Sequence, residues 1–119
     1  MKPHKNLELW QQAMVLVKGV YEVTAHFPRE ELFGLTGQMQ RAAVSVPSNI
    51  AEGAGRGSHK EFLHFLRIAR GSLSELDTQI EIARMLGFLP GNESLTEQSD
   101  RVGRLLTGLI KKLRNATTP

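Results

Sequence analysis

The sequence contains no cysteine, so disulfides and thiolate metal sites are closed to it, and a reducing cytoplasm is the expected home. Long apolar runs are also missing. Stretches such as MVLV (14–17) and AAVSV (42–46) fall far short of the about 20 residues that a membrane-spanning helix needs. The opening MKPHKNLELW carries charge but no apolar core, unlike a secretory signal. A soluble chain with no membrane partner is expected. Tryptophan and tyrosine occur once each, and no long stretch alternates apolar with polar residues, so strand signals are nearly absent. A strong charge of one sign is lacking too: the formal excess is +3, most of it from residues 91–119. Interspersed charge of that size describes a solvated surface unless an oligomer multiplies it.

What is present is helical periodicity. Phe62, Leu66, Ala69, Leu73, Leu76, Ile80 and Ala83 follow a 4-3-4-3-4-3 spacing, an apolar seam on a helix over about 59–86. Ser58 and Glu61 form a capping box at its start, and Gly87 with Pro90 ends it. A first helix over about 7–26 places Trp10, Ala13, Met14, Val17, Val20, Tyr21 and Thr24 on one face and stops before Pro28. After a turn at PREELFG (28–34), Thr36 is the expected cap of a second helix over about 36–56, with Leu35, Met39, Ala42, Val46 and Ile50 inward. A fourth, over about 95–114, starts with a Ser94–Glu97 capping box, carries Val102, Leu105, Leu106, Leu109 and Leu113 inward, and leaves ATTP as a frayed tail. Four amphipathic helices with short links predict an all-α fold: one domain over 1–119, an antiparallel up-down-up-down four-helix bundle.

Residues 40–58, QRAAVSVPSNIAEGAGRGS, test that reading. Pro47 lacks a backbone donor and its ring crowds the carbonyl of Ala43, a cost of roughly 3 kcal/mol in a regular helix. A break with a fresh Asn49–Glu52 capping box is one response. A kinked but continuous helix is favoured, because Gly53 follows that box at once. On this helix Gln38, Arg41, Ser45, Asn49, Glu52 and Arg56 line one stripe, flanked by Ala42, Ala43, Ser48, Ala51 and Ala54. The third helix has a matching stripe: Arg70, Ser74, Asp77, Glu81 and Arg84. Exposed helix faces favour Lys and Glu, whereas these polar types with small flanks suit close packing. A subunit or partner interface and a plain solvated surface are the two readings.

Catalytic and metal patterns are sparse. Glu61 and His64 make a single E-x-x-H pair, where a di-iron bundle needs two such pairs and two more glutamates; His4, His26 and His59 lack ligand spacing. GAGRG (53–57) has neither a preceding strand nor a trailing Lys-Ser/Thr, so turn geometry is favoured over a phosphate loop. Ser45 has no nucleophile elbow around it. A non-enzyme without cofactor, metal or small-molecule substrate is expected. For nucleic acid, the candidate residues are Arg101, Arg104, Lys111, Lys112 and Arg114.

The stretch LTGQMQRAAVSVPSNIAEGAGR (35–56), with Trp10 and Tyr21, F-P-x-E-E-x-x-G-L-T (27–36) and EFLHFLRIARGSLSELDTQI (61–80), resembles the bacterial four-helix-bundle family also called 23S rRNA-intervening-sequence proteins. The resemblance covers about residues 6–90, and the fourth helix matches in pattern alone. It implies a homo-oligomer, typically a pentamer, and kinship with the accessory protein of diversity-generating retroelements, which partners a reverse transcriptase and binds nucleic acid. Gln38, Arg41, Ser45, Asn49, Glu52, Gly53 and Arg56 are this sequence's copies of the family motif, with no catalytic role implied.

Overall fold

A computed structural model describes residues 3–91 and 93–117. Four helices follow one another: α1 Glu8–Thr24, α2 Leu35–Ala54, α3 His59–Met85 and α4 Leu95–Thr117. Short 3-10 turns lie at Pro3–Asn6 and Arg29–Glu31, and no strand occurs among the described residues. Each helix packs on its chain neighbours and α4 closes back on α1, giving an antiparallel four-helix bundle of 50 × 22 × 21 Å. No helix is long and apolar enough to cross a membrane among these residues.

Local chemistry sets the boundaries. The Ser58 hydroxyl accepts the Glu61 N–H at 3.1 Å, the first half of the expected capping box. At the far end of α3, Gly87 adopts φ 81°; its N–H reaches the Arg84 carbonyl and the Phe88 N–H reaches that of Ala83. These two bonds satisfy carbonyls that the helix end would leave bare. Helix α2 begins at Leu35, one residue before the expected cap. The Leu35 N–H is received by the Glu31 carboxylate at 3.2 Å, and Thr36 lies buried inside the helix. Helix α2 runs through the buried Pro47 without a break. Helix α4 includes Ala116 and Thr117, so half of the expected frayed tail is helical; residues 118–119 lie outside the described part.

The core joins Leu16 and Val20 of α1, Met39, Val46 and Ile50 of α2, Leu66, Leu76 and Ile80 of α3, and Val102 and Leu106 of α4. The inner face of α1 is turned one position from the expected one. Leu9, Ala13, Leu16, Val20 and Thr24 are buried, whereas Met14 and Tyr21 are exposed. In α3, Leu63 takes the core position expected of Phe62, which lies half-buried over Gly53. In α4, Ile110 is buried where Leu109 is half-buried, and Ser99 enters the interior.

Antiparallel register is set most sharply between α2 and α3. A Cβ placed on Gly53 would lie 2.8 Å from Phe65 Cβ and 3.0 Å from a Phe62 ring carbon, so the α2 backbone runs directly against these two side chains. Two turns away, Ser45 and Ser72 share a hydroxyl–hydroxyl hydrogen bond of 2.8 Å. The same register brings residues 32–35, where the α1–α2 link enters α2, level with the last turn of α3.

Candidate functional site

The polar stripe of α2 is turned toward α3 and is partly consumed there. Asn49 Nδ2 donates to the Ser45 carbonyl at 2.8 Å and to its hydroxyl at 2.9 Å, and that hydroxyl meets Ser72. In the turn beyond, Arg56 Nε donates to Glu52 at 2.8 Å, lies 3.8 Å from Glu61 and covers the Phe65 ring at 5.0 Å. Ser45, Asn49, Glu52 and Arg56 therefore tie α2 to α3 within one chain. Gln38 and Arg41 stay exposed. The partner Ser72 was invisible as such in the sequence, since nothing in its neighbourhood distinguishes it from a surface serine.

The α3 stripe faces α4. At the upper end Arg84 is ion-paired with Glu93 and Glu81, and donates to Thr96 at 2.9 Å. One turn below, the buried Ser99 hydroxyl donates to the Asp77 carboxylate. Below that, Arg70, Ser74, Arg104 and Thr107 make no side-chain bridge across the two helices among the described residues. Arg70, Ser74 and Asp77 of α3 and Asp100, Arg104 and Thr107 of α4 then wall a groove of about 590 Å³, with Leu73 and Gly103 at its base and the exposed Gly108 at its edge. The stripe expected to meet another molecule is thus one wall of a groove whose upper half is knitted shut by its own chain.

The candidate basic residues divide between two flanks of α4. Asp100, Arg104, Thr107, Lys111 and Arg114 follow a 4-3-4-3 spacing on the flank that borders the groove, while Arg101 and Lys112 lie on the next one. All five basic residues are exposed. Arg70 and Arg104 make no ion pair among the described residues. Up-down topology also sorts charge by end. Arg56, Lys60, Lys111, Lys112 and Arg114 outnumber Glu52 and Glu61 at the end that holds the α2–α3 turn, whereas Glu30, Glu31, Glu81, Glu93 and Glu97 outnumber Arg29 and Arg84 at the other. Among the described residues Glu61 and His64 do not gather with other metal ligands: the Glu61 N–H is capped by Ser58 while its carboxylate lies 3.8 Å from Arg56, and the His64 ring packs on Phe65 at 5.1 Å.

The opposite side of the bundle, between α1 and α2, is apolar. One trough of about 570 Å³ is lined by Tyr21, Leu32, Phe33, Gly37, Gln40, Arg41, Val44 and Ser45. A second, of about 340 Å³, continues it through Val44 to Trp10, Met14, Val17, Pro47 and Ala51. Phe33 is 93% exposed and Leu32 53%, with Tyr21 at 46% and Met14 at 44%. At the same end Met85, 77% exposed, and Leu86 extend the apolar surface across the last turn of α3. Sequence reasoning missed this face by placing Met14 and Tyr21 inside. The adjacent Leu32-Phe33 pair in an otherwise polar link was the available signal.

In comparison with known proteins, the family profile described as 23S rRNA-intervening sequence protein matches residues 5–108. No curated protein matches the chain.

Proposed function

Given a chain that belongs to the 23S rRNA-intervening sequence protein family, we propose that it acts by binding rather than by catalysis, as an oligomeric interaction module assembled through its α1–α2 face. The observation that carries this reading is the apolar trough with Phe33 standing almost free at its end. Large exposed apolar side chains gathered along one trough mark an interaction surface, and buried interface cores are enriched in aromatic residues, Met and Arg. Covering Phe33, Leu32, Tyr21 and Met14 is worth roughly 1.5–3 kcal/mol per fully buried large side chain. Arg41, exposed at the same trough, supplies a charged rim. The cyclic pentamer implied by the resemblance is the closed form proposed for this assembly, in a reducing cytoplasm consistent with the absence of cysteine.

Light scattering tests the assembly. The wild-type mass is expected to be a multiple of 13.2 kDa, and Phe33→Asp or Arg41→Glu is expected to reduce it while the helical circular dichroism is retained. A wild-type chain running at its monomer mass would sink the reading.

A second reading, nucleic-acid binding, is favoured by the gathering of exposed Lys111, Lys112 and Arg114 toward one end of the bundle, with Arg104 further up the same helix. Such binding weakens as salt rises because phosphate contacts release counterions. Absence of any RNA or DNA retention at low salt excludes it.

A further inference from the structure

We propose that the open half of the α3–α4 groove is a phosphate-ester site, with Arg70 and Arg104 as the two jaws and the hydroxyls of Ser74 and Thr107 as supporting donors. This deepens the nucleic-acid reading and rests on it only for the source of the phosphate. The groove itself is argued from its lining.

Three observations converge. The first is the pair of guanidinium groups on opposite walls. The register set by Asp77 against Ser99 and by Leu73 against Gly103 brings Arg70 level with Thr107 and sets Arg104 one turn nearer the bridged end. Neither arginine has an ion-pair partner among the described residues, although carboxylates are close at hand in the same groove. Asp77 already receives the Ser99 hydroxyl, and Asp100 lies toward the bridged end, one turn before Arg104. Unlike a carboxylate, which offers two oxygens in one plane, a phosphate ester presents oxygens on several sides. It can therefore satisfy forked donors from two walls at once.

The second observation concerns the floor. Gly103 is a helical glycine that disfavours α4 by about 1 kcal/mol relative to alanine. Packing does not demand it, because a Cβ there would make an ordinary 3.5 Å contact with Leu73. Bare backbone at Gly103, beside Leu73 in the base of the groove, lets a ligand approach closely. The third is the exit. Lys111 and Arg114 continue the Arg104 flank toward the basic end of the bundle, so a chain of phosphates leaving the site meets further positive charge rather than the acidic end. At about 590 Å³ the groove exceeds one phosphate and has room for the attached sugar.

The test uses the full chain, Arg70→Gln and Arg104→Gln, and two probes: AMP by calorimetry, with adenosine as the phosphate-free control, and a short single-stranded RNA by fluorescence anisotropy across a salt series. Both variants are expected to weaken binding of at least one probe by about tenfold or more, as loss of a charge-assisted hydrogen bond implies. For RNA, the slope of log affinity against log salt should fall by about one for each arginine removed. Sensitivity to both arginines with AMP but not with RNA assigns the site to a free nucleotide, and the nucleic-acid reading then falls only if RNA does not bind the wild type. The same sensitivity with RNA alone assigns it to a phosphodiester backbone. If RNA binds the wild type and both variants with equal affinity and slope, and AMP shows no dependence on either arginine, the groove proposal is overturned while the nucleic-acid reading survives. If neither probe binds the wild type at low salt, both fall. Thermal melts of the two variants are expected to match the wild type, since both side chains are exposed.

Discussion

Gly53 and Gly108 are helical glycines under different constraints, and single substitutions separate them. Alanine at 53 brings a methyl group to 2.8 Å from Phe65 Cβ and 3.3 Å from the Phe62 Cα, a contact that the α3 backbone has to yield to. The expected loss is about 1–3 kcal/mol, read from a chemical denaturation midpoint. Alanine at 108 meets open space and is expected to raise stability by about 0.5–1 kcal/mol. If Gly53→Ala proved neutral, the close approach of α2 to α3 would be wrong. The sequence marked Gly53 as part of a glycine-rich turn, yet its burial inside α2 follows from Phe62 and Phe65 on the partner helix beyond that turn, which no local pattern reveals.

At the scale of the helices, Leu76 is fully buried in the α3 seam, and Leu76→Ala is expected to cost roughly 2–5 kcal/mol in a thermal or chemical melt. An unchanged melt would refute the α3 register. Seams of this kind were legible because a 4-3 spacing admits few alternatives once one face has to be apolar. Helix α1 shows where that logic weakens. It carries two adjacent apolar stripes, Leu9-Ala13-Leu16-Val20 and Trp10-Met14-Val17-Tyr21, one position apart. Choosing between them depends on what α2 and α4 offer in return, and periodicity contains no record of that. The polar stripes of α2 and α3 pose the same difficulty. Their residue types fit close polar packing, but Ser72, Thr96 and Ser99 inside the chain satisfy them as well as another molecule could. Fold and helix order were therefore readable, whereas the destination of each face was decided by the partner helices.

For the whole molecule, the up-down order places the apolar α1–α2 face and the charged α3–α4 groove on opposite sides, so the two can be perturbed separately. Phe33→Asp is expected to lower the mass in light scattering while leaving the single-site affinity of the groove for AMP unchanged, and Arg70→Gln the reverse. Coupled losses in both assays would contradict the separation. The register that clamps α2 to α3 also has a bearing on time. These helices are joined by a turn of only a few residues and locked by Gly53 against Phe62 and Phe65 and by Ser45 against Ser72. The α3–α4 pair, by contrast, leaves a groove along half its length. Opening should therefore proceed unevenly. Native-state hydrogen exchange is expected to find the slowest amides in the middle of α2 and α3 and faster exchange in α4, which can peel away while the α2–α3 hairpin persists as a cooperative unit. Uniform protection across all four helices would mean that the bundle opens only as a whole.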